Sequence, residues 1–412
     1  MDLSIFKNYD IRAIYPEQLD EDLAYRIGRA SADFFQKGTL AVGRDMRLGS
    51  EAVQKGLERG LLDGGINVVD LGLVSTDMVY FAVGHYGYDG GIMVTASHNP
   101  AEYAGMKFCR QEAIPISLST GLAEIRNILE NGSFQVPPAK GQPSSADIMD
   151  DWIKHALSFV DLEALRPLKI VVDAGNGMAG KIVPPIAQKL PVEIIPLFFE
   201  LDGSFPNHLA NPLKPENIVD LQKEVLANQA DLGMAFDGDA DRVFLIDEKG
   251  QGIDGSIMTA MVAQSMLKKQ PGSTILYNAV CGDMVPETIL SGGGKPIRTQ
   301  VGHSIIKQKM REHDALFAGE HSGHYYFRDN FYADSGLIAA LIVMELISRQ
   351  DRQVSEIVAD FDKYPKSPEI NSTVKDIPAK LDQIKEAYQD GQLDELDGLT
   401  IRYPDYWFSV RA

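Results

Sequence analysis

Cysteine is almost missing from this 412-residue chain: Cys109 and Cys281 stand alone, too few for a disulfide framework and not spaced as a metal site. A reducing, cytoplasmic setting is the expectation. Basic residues are also in deficit, with 39 Lys plus Arg against 58 Asp plus Glu and a formal charge of −19. That balance argues against a nucleic-acid or anionic-membrane partner, since either selects a basic surface. An anionic small molecule stays open wherever local arginines and lysines outweigh the overall field. No apolar run is long enough to span a bilayer; the longest, Leu337 to Met344, is followed by Glu345 and reads as a buried helix. The start, MDLSIFKNYD, lacks the basic region and long apolar core of a signal peptide. What remains, 44% hydrophobic and 24% charged residues, describes a globular protein. Its length predicts about two to four domains.

Three well-separated stretches share one construction. In GGIMVTASHNP, Gly90 to Pro100, Ile92, Met93 and Val94 end a buried strand, Pro100 forbids its continuation, and Ser97 is delivered into a polar loop. In DLGMAFDGDADR, Asp231 to Arg242, a short apolar run ends in Asp237, Asp239 and Asp241. In ALFAGEHSGH, Ala315 to His324, another ends in Glu320, Ser322 and His324. Open α/β sheets place their ligands at the carboxyl ends of strands, so the three loops are candidates for a single site.

Along the chain, helical spacing over Leu23 to Phe35, a strand at Leu40 to Val42, a helix from Glu51 to Asp63 and a strand at Asn67 to Leu71 argue for βαβ layering. Asn131 to Ser145 reads as a linker. The segment Lys363 to Pro368, with its two prolines, reads as a hinge. Beyond it lie a helix near Ile377 to Tyr388 and two short strands, Leu399 to Tyr403 and Trp407 to Val410. The expected units are 1–147, 148–248, 249–364 and a half-sized 365–412.

Three carboxylates at every second residue of DGDADR point one way in extended backbone, and such close like charges call for a cation among them. A calcium EF-hand is excluded because Arg242 stands where glycine is needed and Val243 to Ile246 reads as strand. Hard oxygen ligands with room for a substrate oxygen suit Mg²⁺, which commonly shares its shell with phosphoryl groups. A serine, a Mg²⁺ loop and basic residues suffice for phosphoryl transfer, which asks for alignment and charge neutralisation. Glu320 and Ser322 suit neighbouring sugar hydroxyls. A rival signal is the literal GxGxxG at Gly175, Gly177 and Gly180, with Glu200 ending the next strand, the pattern of a dinucleotide-binding turn.

TASHNP, DGDADR and GEHSGH, in this order and together with YDIR (Tyr9 to Arg12), VGRD, FPNH and VGHS, resemble the α-D-phosphohexomutase family, closest to its bacterial phosphomannomutase/phosphoglucomutase branch. The resemblance spans the whole chain. It implies three similar three-layer α/β/α domains plus an incomplete C-terminal α+β domain, with the site in the central cleft. It implies that Ser97 is a phosphoserine, and that Asp237, Asp239, Asp241 and the Ser97 phosphate bind Mg²⁺. Arg12 and Lys107 would flank the phosphoryl group, with His303 and His324 close to the sugar. Tyr9, Arg242, Glu320, Ser322 and Arg411 would bind substrate. The implied reaction is reversible phosphoryl transfer between the 1- and 6-positions of a mannose or glucose phosphate, through a hexose 1,6-bisphosphate. His321, where the aminosugar branch has glutamine, favours hexoses without an amino group. Monomer and dimer both stay open.

Departures from the family pattern are few. Ala104 replaces an asparagine, and Cys281-Gly282-Asp283 replaces a serine and a basic residue. Arg411-Ala412 matches the first two letters of a family loop that grips the distal phosphate, and the sequence printed here stops there. A protein truly lacking that loop would bind substrate weakly, so a truncated, non-catalytic sugar-phosphate-binding paralogue is the alternative, with an NAD-dependent dehydrogenase behind it. Arg44 and Arg47 read as partners of Asp45 or other acids and are left outside the site.

Overall fold

The strand Gly90–Val94 is buried along its whole length and pairs in parallel with Thr39–Arg44 on one side. On the other side it pairs antiparallel with Tyr103–Arg110, so the Ser97 loop is the turn of a hairpin. The same unit recurs twice. Leu232–Phe236 runs parallel to Leu168–Asp173 and antiparallel to Val243–Asp247. Phe317–Gly319 runs parallel to Thr274–Asn278 and antiparallel to Tyr325–Phe327. Each of the three loops expected at a strand end therefore closes a hairpin at the edge of a parallel core.

This computed structural model describes residues 2–367 and 369–411. Pro368 of the expected hinge and Ala412 of the Arg-Ala pair lie outside the described residues. Four sheets, of seven, five, five and three strands, follow one another along the chain. The first three are flanked by helices, giving three α/β/α domains, and the fourth is a small C-terminal sheet, Gln392–Asp394, Leu399–Arg402 and Trp407–Val410. The linker reading is corrected in part: Pro143–Ser145 pairs with Val68, Val69 and Asp70 as the edge strand of the first sheet.

Local signals account for the helices that frame the site. Asp20 caps Glu21–Phe35 by accepting from the Leu23 amide, and Glu21 and Asp22 favour its positive end. Ser335 caps Gly336–Ser348 in the same way through the Ile338 amide. That helix is buried from Gly336 to Ile347, and each fully buried Leu or Ile contributes about 1.5–3 kcal/mol, so it anchors the third domain. One apolar core joins Phe81 of the first domain, Trp152 and Ile182 of the second and Ile342 of the third. The three hairpins are thus held against one another by shared packing.

Candidate active site

Ser97 sits in a left-handed turn, φ 50°. Its amide donates to Thr95 Oγ1 at 2.8 Å, and its hydroxyl donates to Asp237 Oδ2 at 3.0 Å. Non-glycine residues seldom adopt this backbone, and such outliers mark places where surrounding structure enforces a geometry. Arg12 reaches the loop from the strand Ile11–Ile14, which pairs with Tyr103–Arg110. Its guanidinium donates to the Ala96 carbonyl and, at 2.5 Å, to Asn99 Oδ1, and Asp10 holds it at 2.8 Å. Beside them, His98 is pushed down to about 2 by burial and by the Arg242 and Arg12 charges, so it is neutral.

The second hairpin brings its carboxylates together by a route that differs from the extended backbone expected. Ala240 takes φ 60°, making a tight turn, and oxygens of Asp237, Asp239 and Asp241 converge within 4.8 Å of one another. All three residues are buried. Arg242 donates from Nε to Asp237 Oδ2 at 2.9 Å. Lys107, which by itself reads as a surface lysine, is also buried and bridges Asp239 at 2.8 Å and Asp241 at 2.5 Å. Thr76 donates to Asp239 at 2.5 Å. Burial opposes charge on Asp239, but Lys107 and Thr76 outweigh it and hold the carboxyl well below its usual range. Burial raises Asp237 to about 7; Arg242 opposes the rise, and Asp241 and Asp239 add to it.

Asp239 Oδ1 and Asp241 Oδ1 are buried without a hydrogen-bond donor among the described residues. Unpartnered buried carboxylate oxygens are costly, and here they belong to two of three carboxylates whose oxygens approach within 4.8 Å of one another. An all-oxygen set of this kind suits a hard divalent cation. The acidic cluster can hold a metal ion.

The third hairpin adjoins the second. Arg242 and His324 pair as an isolated bridge, joining the second and third loops. His324 Nδ1 lies 2.8 Å from Asp334 Oδ2 and 4.0 Å from Asp241 Oδ1. Burial disfavours its charge, yet Asp334 and Asp241 raise its pKa overall. Glu320 is buried and accepts from Tyr326 Oη at 2.5 Å and Asn278 Nδ2 at 3.1 Å. Ser322 is half-buried in the same turn. His321 turns aside, 3.0 Å from Ser256 Oγ and 3.5 Å from Asp254. His303 packs edge-on against Tyr9 with ring centroids 5.2 Å apart; burial and the Lys307 charge keep it neutral. Arg411 pairs with Asp397 at 3.0 Å, and Asp397 in turn accepts from the Val301 amide at 3.2 Å.

Ser97, Arg12, Lys107, the three aspartates, Arg242 and His324 thus form one bonded cluster, while Tyr9 and His303 pack on each other, Glu320 and Ser322 share the third turn, and Arg411 pairs with Asp397. Several residues escaped sequence reading. Thr76 orients Asp239 from another domain, and Asp334 orients His324 while pairing with the wholly buried Lys307 at 2.8 Å. Arg47, read as a simple partner of Asp45, also grips the Ser97 loop through four carbonyls. Only Arg47 carried a usable signal, its place beside VGRD. The glycine-rich turn does not serve a dinucleotide. A Cβ on Gly177 would lie 2.8 Å from the Gly238 carbonyl, and the Met178 amide already donates to that carbonyl at 2.9 Å. The turn buttresses the acidic loop, and the helix-start amide that a pyrophosphate would need is engaged.

Known proteins resemble this chain over its whole length. Family models for phosphoglucomutase/phosphomannomutase α/β/α domains I, II and III match residues 3–136, 150–251 and 254–364. A phosphomannomutase of Salmonella montevideo is 41% identical over 422 residues, covering 100% of this chain and 92% of that protein. Phosphohexose mutases of Xanthomonas campestris are 42% identical over 419 residues, covering 100% and 93%. The crystal structure of a phosphoglucomutase/phosphomannomutase family protein from Burkholderia thailandensis superposes with a TM-score of 0.92 at 33% identity, covering 100% of this chain and 91% of that one. With three domain models in order, full-length relatives and a shared fold, the chain belongs to the phosphoglucomutase/phosphomannomutase family.

Proposed function

We propose that this protein is a phosphohexose mutase in which Ser97 carries the phosphoryl group between the 1- and 6-positions of a mannose or glucose phosphate. The observation that carries the reading is the Ser97 hydroxyl, 3.0 Å from Asp237 at the mouth of three buried carboxylates. Asp237, Asp239 and Asp241 would hold Mg²⁺, with an oxygen of the Ser97 phosphate completing the set. When bound, that cation neutralises charge on the transferring phosphoryl oxygens.

In the forward half-reaction the bond from phosphorus to Ser97 Oγ breaks and a bond to the free hydroxyl of a hexose monophosphate forms. The hydroxyl proton passes to His324, whose Nδ1 is engaged by Asp334, leaving Nε2 as the acceptor, and the departing Ser97 oxygen takes up a proton from the Lys107 ammonium; both protons return when the phosphoryl group goes back to the serine. Arg12 balances charge over the loop while its bonds to Ala96 and Asn99 keep Ser97 aligned. The hexose 1,6-bisphosphate then turns over within the cleft. Its other phosphate returns to Ser97 Oγ, and the sugar leaves as the positional isomer. Glu320 and Ser322 hold sugar hydroxyls in both orientations, and Tyr9, His303 and Arg411 face the sugar's far side.

Intact mass and peptide mapping over Gly90 to Lys107, before and after glucose 1,6-bisphosphate with Mg²⁺, test the reading. One phosphate on Ser97, lost again to a hexose monophosphate acceptor, is expected. Absence of phosphate from Ser97 under both conditions refutes it.

A further inference from the structure

The Arg47 side chain is wholly buried, yet its ion pair with Asp45, at 3.3 Å, occupies only Nε. Nη2 donates to the carbonyls of Ser97 at 2.5 Å and Asn99 at 2.7 Å; Nη1 donates to those of Pro100 at 2.8 Å and Tyr103 at 3.3 Å. A buried arginine spending its donors on main-chain carbonyls of one loop is stabilising that loop's shape, because those carbonyls would otherwise be buried unpaired. The loop in question is the one whose Ser97 takes φ 50°.

The other face of the guanidinium is covered by the second domain. The Phe205 ring stacks over it, 5.0 Å from centroid to Cζ. The approach requires glycine two residues earlier: a Cβ on Gly203 would lie 2.6 Å from Arg47 Cα and from the Leu48 amide nitrogen. Phe205 itself is buried and belongs to FPNH, a stretch with no other role in the site described above.

We infer that Arg47 is the positioning residue of Ser97, clamping the serine's loop in its left-handed turn, and that Phe205 of the second domain holds this clamp in place. Lysine cannot replace it, since an ammonium is a point charge and the four carbonyls match a planar fork. Arg47 acts through the loop, so its loss lowers the rate of phosphoryl transfer to Ser97 and leaves sugar affinity unchanged. The inference rests on Ser97 being the phosphoryl carrier.

The test follows phosphate appearing on the Gly90 to Lys107 peptide at several glucose 1,6-bisphosphate concentrations, in the unaltered chain, R47A, R47K and F205A. For R47A and R47K the maximal rate is expected to fall roughly 100-fold, and for F205A roughly 10-fold, with half-saturating concentrations unchanged within about threefold. Millimolar guanidinium is expected to restore part of the R47A rate, and methylammonium none. Unaltered maximal rates in folded R47A and F205A, or losses confined to the half-saturating concentration, overturn the inference. Where R47A and R47K do not fold, F205A decides by the same criterion. An unaltered chain that takes up no phosphate removes the premise itself, a separate result from variants matching an active wild type.

Discussion

The two sides of the cleft are built on opposite terms. On the transfer side, Asp237, Asp239, Asp241, Lys107 and Arg242 are all at most 7% exposed, and each is already bonded to another of the group. On the sugar side, Glu320 is the only fully buried charge among the proposed contacts, and Arg411 has a side chain 41% exposed, held by the single carboxylate of Asp397. Charges that neutralise a phosphoryl group work best where water is excluded and nothing reorganises, which explains the first arrangement. In the proposed cycle the sugar turns end for end and must be released and regrasped, which would account for the second.

The comparison breaks most visibly if the transfer side tolerates change. Asp241→Asn removes one carboxylate from the cluster and one of the two ion pairs of Lys107, leaving that with Asp239, and a fall in kcat of about 10²–10³ is expected, with loss of Mg²⁺ dependence. Steady-state rates across a Mg²⁺ titration check this; near-normal turnover would mean the cluster is not the metal site.

Next in size is a stability effect at the seam between the first and third domains. Asp77 accepts from Ser335 Oγ at 2.6 Å and also bonds Ser75, and burial raises its pKa from 3.8 to about 7. Between those values the folded protein keeps a proton that the unfolded chain has lost, so this group's contribution falls as pH rises across that window and is smallest above about 7. Asp77→Asn is expected to flatten the slope, removing a fall in stability that totals on the order of 4 kcal/mol at most across that window. Denaturant melts of both proteins at a series of pH values decide it; parallel curves would refute the raised carboxyl.

On the sugar side, Glu320→Gln keeps the shape that Tyr326 and Asn278 grip while removing the charge. KM is expected to rise about tenfold with a smaller change in kcat, the reverse of the split at Asp241. A kcat loss with normal KM would move Glu320 to the transfer side. Smallest is Arg411→Ala, whose exposed pair with Asp397 is worth less than about 1 kcal/mol to stability. A melting temperature within a few degrees of the parent is expected, together with a modest rise in KM.

Legibility in the sequence tracked how local each interaction is. The strand before Ser97 was readable because Ile92, Met93 and Val94 are apolar together and Pro100 stops the run, and the structure ends that strand at Val94. The carboxylates of DGDADR announced their convergence by proximity alone, although the reason is a turn at Ala240 and not extended chain. The GNGMAG turn misled for the same reason: its glycines are local, but what they approach, the Gly238 carbonyl, is not. The linker at Asn131 to Ser145 hid an edge strand because Pro143–Ser145 has no apolar pattern and pairs only with what is already folded.

By itself, then, the sequence determined the order of strands and loops, the three motif loops and the types of side chain they carry, since these follow from apolar runs, prolines and short-range like-charge repulsion. Only the tertiary structure decided which distant groups complete them. Thr76 on Asp239, Asp334 on His324, Lys107 between two aspartates and Arg47 beneath Ser97 join positions 163, 10, 132 or 134, and 50 residues apart. Even the shortest of these spans a turn and a change of strand. No periodicity encodes such partners: they meet because buried faces of separate sheets pack on one core, and a polar group carried into that interior must find a bond there.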